Sequence, residues 1–232
     1  MTSITINQRF CGPPNSGNGG YTAGIIATNL PFNPEITLRV PPPLNTPLQL
    51  IAETTTASLM DNTTLVAEAK VTDLQLTVPK SITYEEAKTA VVSANAHQLS
   101  PLQTCFVCGS KRAEGDGLRI HSGSIGKNKV AAPWTPFTEL GNEKGHVKTE
   151  FIWSALDCPG AWAIQDESQL FLLGRMAAKV VQPIRVKEKH VIMGWVIGQE
   201  GRKTWTGTAI YTEVGEVCAY AKGTWIAVKS VN

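Results

Sequence analysis

An α+β fold is predicted, on three observations. Twice along the chain a segment of helical character precedes strands joined by short turns, the order of an antiparallel meander. Twice the strand after that helix is interrupted in a similar way, at Val40-Pro41-Pro42-Pro43-Leu44 and at Val181-Gln182-Pro183-Ile184. The third is length: 232 residues fit one large domain or two of about 115. The expected division is a first unit over 1–80, a connector carrying a helix over 81–104, and a second unit over 105–232.

In the first unit, Thr2–Ile6 is expected as a short strand, and Cys11-Gly12-Pro13-Pro14-Asn15-Ser16-Gly17 as a loop. Residues 19–29 carry Tyr21, Ile25 and Ile26 among Gly and Ala. That composition reads as a helix packed closely against a neighbour. Period-two alternation then predicts strands at Glu35–Val40, Leu48–Glu53, Ser58–Met60, Leu65–Thr72 and Leu74–Val78. Asp61-Asn62 is a hairpin-turn candidate. In the connector, Thr83 with Glu86 three residues later is a capping-box signature, and good helix formers run on toward His97.

The second unit opens at Cys105-Phe106-Val107-Cys108-Gly109 and passes through Gly117-Leu118-Arg119-Ile120 to a strand at Lys129–Ala132. A helix is expected over 152–165. Strands follow at Leu170–Gln182, His190–Gly198, Lys203–Thr212 and Glu216–Val228, with Glu200-Gly201-Arg202-Lys203 as a hairpin tip. No stronger internal repeat is visible, so the duplication rests on order and motifs.

Composition sets bounds. Hydrophobic residues make up 42% of the chain, enough for a core, and the net charge is only +2. No basic block or basic-aromatic alternation points to nucleic acid. Residues 1–20 lack a signal-peptide pattern, and no apolar run reaches the roughly 18 residues of a membrane span. Five cysteines in a chain of this size do not make a disulfide framework. A reduced, cytoplasmic protein is expected.

Two stretches about 130 residues apart carry the functional signal. The first is Asn18-Gly19-Gly20-Tyr21-Thr22-Ala23-Gly24-Ile25-Ile26-Ala27-Thr28. The second is Phe151-Ile152-Trp153-Ser154-Ala155-Leu156-Asp157-Cys158-Pro159-Gly160-Ala161-Trp162-Ala163. Each resembles the central helix of the hotdog-fold acyl-CoA thioesterases, in which a polar residue and two glycines are commonly followed by an acid nine positions after the polar residue. The first stretch keeps the glycines and has Ala27 at the acid position. The second keeps the acid, Asp157, and has Lys148-Thr149-Glu150 where the polar residue and glycines belong. The Cys-Phe-Val-Cys-Gly opening followed by Gly117-Leu118 is similar to the start of single-hotdog thioesterase domains. The first half is closer to the amino-terminal half of double-hotdog enzymes. The likeness spans most of the chain apart from the connector helix.

Nine helical residues rise about 13 Å, too far for one helix's glycines and acid to act on one carbonyl. In that family the two parts meet across paired domains. The resemblance therefore implies a tandem hotdog, two long central helices each wrapped by an antiparallel sheet. It also implies one composite site that hydrolyses an acyl-CoA or acyl-carrier thioester. Backbone N–H groups of Gly19 and Gly20, at a helix amino terminus, would hold the carbonyl oxygen. Asp157 would activate water or attack the carbonyl, two routes that the sequence leaves open.

Each residue also has a plain structural reading. The glycines suit a loop-to-helix turn. Asp157 suits an N-cap for a helix starting at Cys158, since Pro159 is tolerated only in a first turn. Asn15 and Asn18 suit turns, or orient the thioester or the water. The acyl chain is expected against Tyr21, Ile25, Trp153 and Trp162. Cys105 and Cys108 form a lone C-x-x-C for which His121 and Cys158 offer no zinc spacing, so they read as packing residues, and no metal or cofactor is expected. None of His97, His121, His146 and His190 stands in the helix-entry motif of the hotdog dehydratases, which disfavours a hydratase or dehydratase. A non-catalytic binder of acyl thioesters or other hydrophobic ligands is the alternative, and homo-oligomers through the sheets are open to either.

Overall fold

The computed structural model describes residues 2–92, 100–166 and 168–228; His97 and the end of the expected connector helix lie outside them. Among the described residues, eleven strands form one sheet: β1 (Thr2–Thr5), β2 (Pro34–Leu38), β3 (Pro47–Ala52), β4 (Thr56–Asp61), β5 (Thr64–Val71), β6 (Gly123–Gly126), β7 (Lys129–Trp134), β8 (Leu170–Val180), β9 (His190–Glu200), β10 (Lys203–Thr212) and β11 (Val217–Val228). The helices are α1 (Gly19–Thr28), α2 (Tyr84–Val92), α3 (Thr149–Ala155) and α4 (Cys158–Trp162).

The sheet order is β1-β3-β4-β5-β2-β8-β11-β10-β9-β7-β6. Read outward from the middle, each side has the strand after a buried helix, then the last, second-last and third-last strands, then a strand before the helix; the second side carries β6 as one strand more beyond β7. The sides join where β2 pairs antiparallel with β8, with Ile36 opposite Met176. All named pairings are antiparallel.

Local chemistry accounts for most boundaries. The β4–β5 hairpin turns at Asn62, in the left-handed region at φ 50, which Asn tolerates. The capping box forms: the Thr83 N–H donates to Glu86 Oε2 at 2.8 Å and the Glu86 N–H to Thr83 Oγ1 at 3.2 Å. Gly201 at the β9–β10 tip sits at φ 55.

Two expectations are corrected. Leu74–Val78 is not a strand; Leu76 and Val78 instead pack on a second core cluster around Val191, Met193 and Tyr211. The expected helix over 152–165 is two short pieces, α3 and α4, so the two buried helices are not both long. Pro159 has no N–H to continue an upstream helix, so the chain breaks at Asp157 (φ −78, ψ −84) and restarts with Pro159 in the first turn of α4.

The main core lies between the sheet and helices α1 and α3. Gly20 and Gly24, one turn apart, let the two helices touch. A Cβ on Gly24 would lie 2.6 Å from Glu150 Cα, and one on Gly20 would lie 2.7 Å from the Trp153 carbonyl oxygen. The segment opening the second half packs onto the first: the Phe106 N–H donates to the Cys11 carbonyl at 2.8 Å. Phe106 joins Phe10, Tyr21 and Phe151 in one aromatic cluster, in which Phe10 stacks on Tyr21 at 4.0 Å.

Candidate active site

Asn18 begins the site. Its extended backbone (φ −61, ψ 134) makes it the N-cap of α1, and its Oδ1 accepts from the Tyr21 N–H at 2.9 Å. That bond fixes the side chain and leaves Nδ2 pointing away from the helix. Nδ2 donates to Asp157 Oδ2 at 2.8 Å. The Gly20 N–H, one of the first-turn donors a helix leaves unpaired, donates to the same oxygen at 3.0 Å. An acid from one half of the chain is thus clamped on the helix amino terminus of the other.

Asp157 occupies the N-cap position of α4 but makes no side-chain cap bond there. The break between α3 and α4 turns its carboxylate toward α1. It is 3% exposed. Oδ1 has no hydrogen-bond partner among the described residues. Burial pushes the Asp157 pKa up to about 7, against the lowering effect of the Gly20 N–H bond; a nearby Cys105 charge adds to the rise and the Asn18 bond opposes it.

This cluster opens on a cavity of about 1260 Å3, roomy for a small-molecule site. Gly19, Asn18, Asp157, Asn15 and Trp162 line it, with Leu38, Leu173 and Trp225 among its apolar walls. Gly19, whose N–H is a second first-turn donor, is among the lining residues. Of the expected acyl contacts, only Trp162 reaches the cavity. Tyr21 is held in the aromatic cluster, and Trp153 is 3% exposed against the α1 glycines. Ile25 packs on the core instead. These three serve packing because the close α1–α3 contact leaves no groove between the helices.

Sequence reasoning missed three features. Gly24 completes the contact face with Gly20, a spacing visible in the sequence as Gly-x-x-x-Gly. Asn18, expected in a turn or orienting the thioester or the water, bridges both halves through Asp157, a contact that the sequence did not show. Cys158 brings its sulfur to Cys105 and Cys108, so the reading of a lone C-x-x-C is corrected: the three Sγ atoms lie within 4.8 Å of one another. All five cysteines are free thiols. Bonds from Cys108 and Cys158 hold the Cys105 thiol well below its ordinary pKa, while Cys108 and Cys158 are pushed up.

Comparison with known proteins comes from structure alone: no protein-family model and no curated sequence matches the chain. Among solved structures, the tesB protein of Mycobacterium avium subsp. paratuberculosis is similar over 93% of this chain and 89% of its own, at 11% identity and a TM-score of 0.60. A thioesterase from Haemophilus influenzae matches 66% of this chain and 95% of its own, at 16% identity and a TM-score of 0.49. A hypothetical thioesterase with coenzyme A from Streptococcus pneumoniae matches 47% and 84%, at 10% and 0.44. The chain has the hotdog, thioesterase-like fold. No helix among the described residues is long and apolar enough to cross a membrane.

Proposed function

We propose that the chain is a tandem hotdog protein, its units at 1–80 and 105–232 joined by the 81–104 connector, which hydrolyses an acyl-CoA-like thioester at one composite site. The observation that carries this reading is the placement of Asp157, whose carboxylate takes both its hydrogen bonds from the first half of the chain. The mirrored sheet order and the likeness to the mycobacterial tesB protein support the tandem architecture.

The geometry divides the labour. Gly20 and Asn18 orient Oδ2, leaving Oδ1 for the reacting water or carbonyl. Gly19 and the positive end of the α1 dipole would hold the carbonyl oxygen as it gains charge. The Gly20 N–H is taken up by the carboxylate, so its role is orientation, a change from its expected place in the oxyanion hole. Asn15 and Trp162 would contact the ligand along the cavity wall.

Thiol release over acyl-CoAs of increasing chain length tests the reading. Turnover of at least one, abolished in Asp157→Asn with binding of a non-hydrolysable analogue retained, supports it. The removed carboxylate acts in the transition state, whereas binding comes from the cavity walls. Because Ala27 stands at the matching position in the first half, the analogue should bind at one per chain. Near-full activity in the variant, or two equal sites, refutes it. Because the clamp already satisfies Gly20, a non-catalytic acyl-thioester binder is the second reading, and binding without turnover would establish it.

A further inference from the structure

We infer that Cys105, Cys108 and Cys158 form a three-thiolate site for a soft divalent cation, zinc being the natural occupant, with its fourth position open to the cavity. Zinc–sulfur bonds of about 2.3 Å in a tetrahedron set sulfur–sulfur edges near 3.8 Å. Cys105 Sγ and Cys158 Sγ stand 3.7 Å apart, and all three sulfurs lie within 4.8 Å of one another. Contraction by less than about 1 Å therefore brings the set into coordination.

Metal binds the thiolate form of cysteine, and the cation itself drives the ionisation of the three thiols. Asn18 Nδ2 adds a long contact to Cys105 Sγ at 3.8 Å. An amide donor beside the sulfur favours a bound thiolate. The turn is built for it: the Gly109 N–H donates to the Cys105 carbonyl at 2.9 Å, and a Cβ on Gly109 would lie 2.5 Å from that oxygen. The C-x-x-C spacing is that of zinc ligands, and Cys158, 50 positions beyond Cys108 in the chain, supplies the third.

Three protein ligands with an open fourth position are the arrangement of reactive rather than closed zinc sites. All three cysteines line the cavity, so a water or a ligand atom could complete the tetrahedron. The cation would also tie the 105–108 turn to α4, whose N-cap is Asp157.

The test uses the reduced, chelator-treated full-length protein without oxygen. Titration with Co2+ should give sulfur-to-metal charge-transfer bands and the strong visible bands of tetrahedral cobalt, saturating at one per chain. Added Zn2+ should displace the signal, with proton release as the thiols ionise. Cys158→Ser should weaken binding by at least about a hundredfold, whereas Cys218→Ser, remote from the cluster, should leave it unchanged. Circular dichroism checks the fold of both variants, and the wild-type cobalt spectrum stands even if a variant misfolds. Absence of charge-transfer bands in the wild type, or equal affinity in a folded Cys158→Ser, overturns the inference. So does a Cys105–Cys158 disulfide that forms readily under air and is not blocked by Zn2+.

Discussion

Gly20→Ala separates the clamp from mere helix packing. The new Cβ would lie 2.5 Å from Asp157 Cβ and 2.7 Å from the Trp153 carbonyl oxygen, where unstrained contacts need about 3.5 Å. The amino end of α1 must therefore retreat by about 1 Å, lengthening the 3.0 Å bond from the Gly20 N–H to Asp157 Oδ2 to about 4 Å, beyond hydrogen-bond range. Overpacking costs about 1–3 kcal/mol, partly offset by up to about 1 kcal/mol from the better helix propensity of Ala. A net loss of about 1–2 kcal/mol lowers Tm by roughly 2–8 °C in a chain of this size. Activity should fall further, because a lost hydrogen bond to a carboxylate is worth about 1.5–3 kcal/mol, roughly ten- to hundredfold in kcat/KM. Gly24→Ala is the control. Its Cβ would lie 2.6 Å from Glu150 Cα and 2.8 Å from Trp153 Cβ, so it loosens the same helix pair without touching Asp157. A similar Tm loss with less than about a tenfold loss of kcat/KM is expected there. Thermal melts and thiol release on the three proteins decide it. Equal activity losses at equal Tm losses would show that the clamp has no role of its own, and wild-type activity in Gly20→Ala would refute the geometry.

Asn18→Ala should cost about 1 kcal/mol as a lost N-cap, read by urea denaturation, and lower kcat/KM as Asp157 Oδ2 loses a donor. Asn18→Asp keeps the cap acceptor but sets a second carboxylate against Asp157, so it should retain more stability while losing more activity near pH 7; the reverse ranking would argue against the bridge. His190 is 2% exposed and burial holds its pKa below the ordinary value, with Nδ1 at 2.9 Å from the Glu188 carbonyl oxygen. The unfolded chain takes up a proton near pH 6.5 while the folded chain resists. The His190 contribution to stability should thus be full above about pH 6.5 and fall as the pH drops toward the folded pKa, opposed over the same range by Asp157, whose raised pKa favours the folded chain as the pH falls. His190→Gln should flatten that acid limb in denaturation series, with a residual slope from His121, whose pKa burial also lowers; an unchanged slope would exclude His190 as its source.

Much of the architecture is local and was readable. The strand expected at Lys203–Thr212 is β10 to the residue, and the helix expected over 19–29 is Gly19–Thr28. Alternation, turn residues and caps act over a few positions, so a linear reading captures them. It failed at Leu74–Val78 for a physical reason: period two reports an extended backbone with one buried face, and packing across a core cluster meets that demand without a sheet partner. At the site the sequence by itself determined the asymmetry, with glycines in one half and the acid in the other, and hence the expectation of a single composite centre. Only the tertiary structure decided that Gly20 and Asn18 clamp the acid directly, that Tyr21 and Trp153 serve packing, and that Cys158 joins a C-x-x-C 50 positions away. Those contacts depend on how closely α1 meets α3 and where Pro159 breaks the second helix. Such distances between segments far apart in the chain are set by the packing of the whole core, which no local pattern encodes.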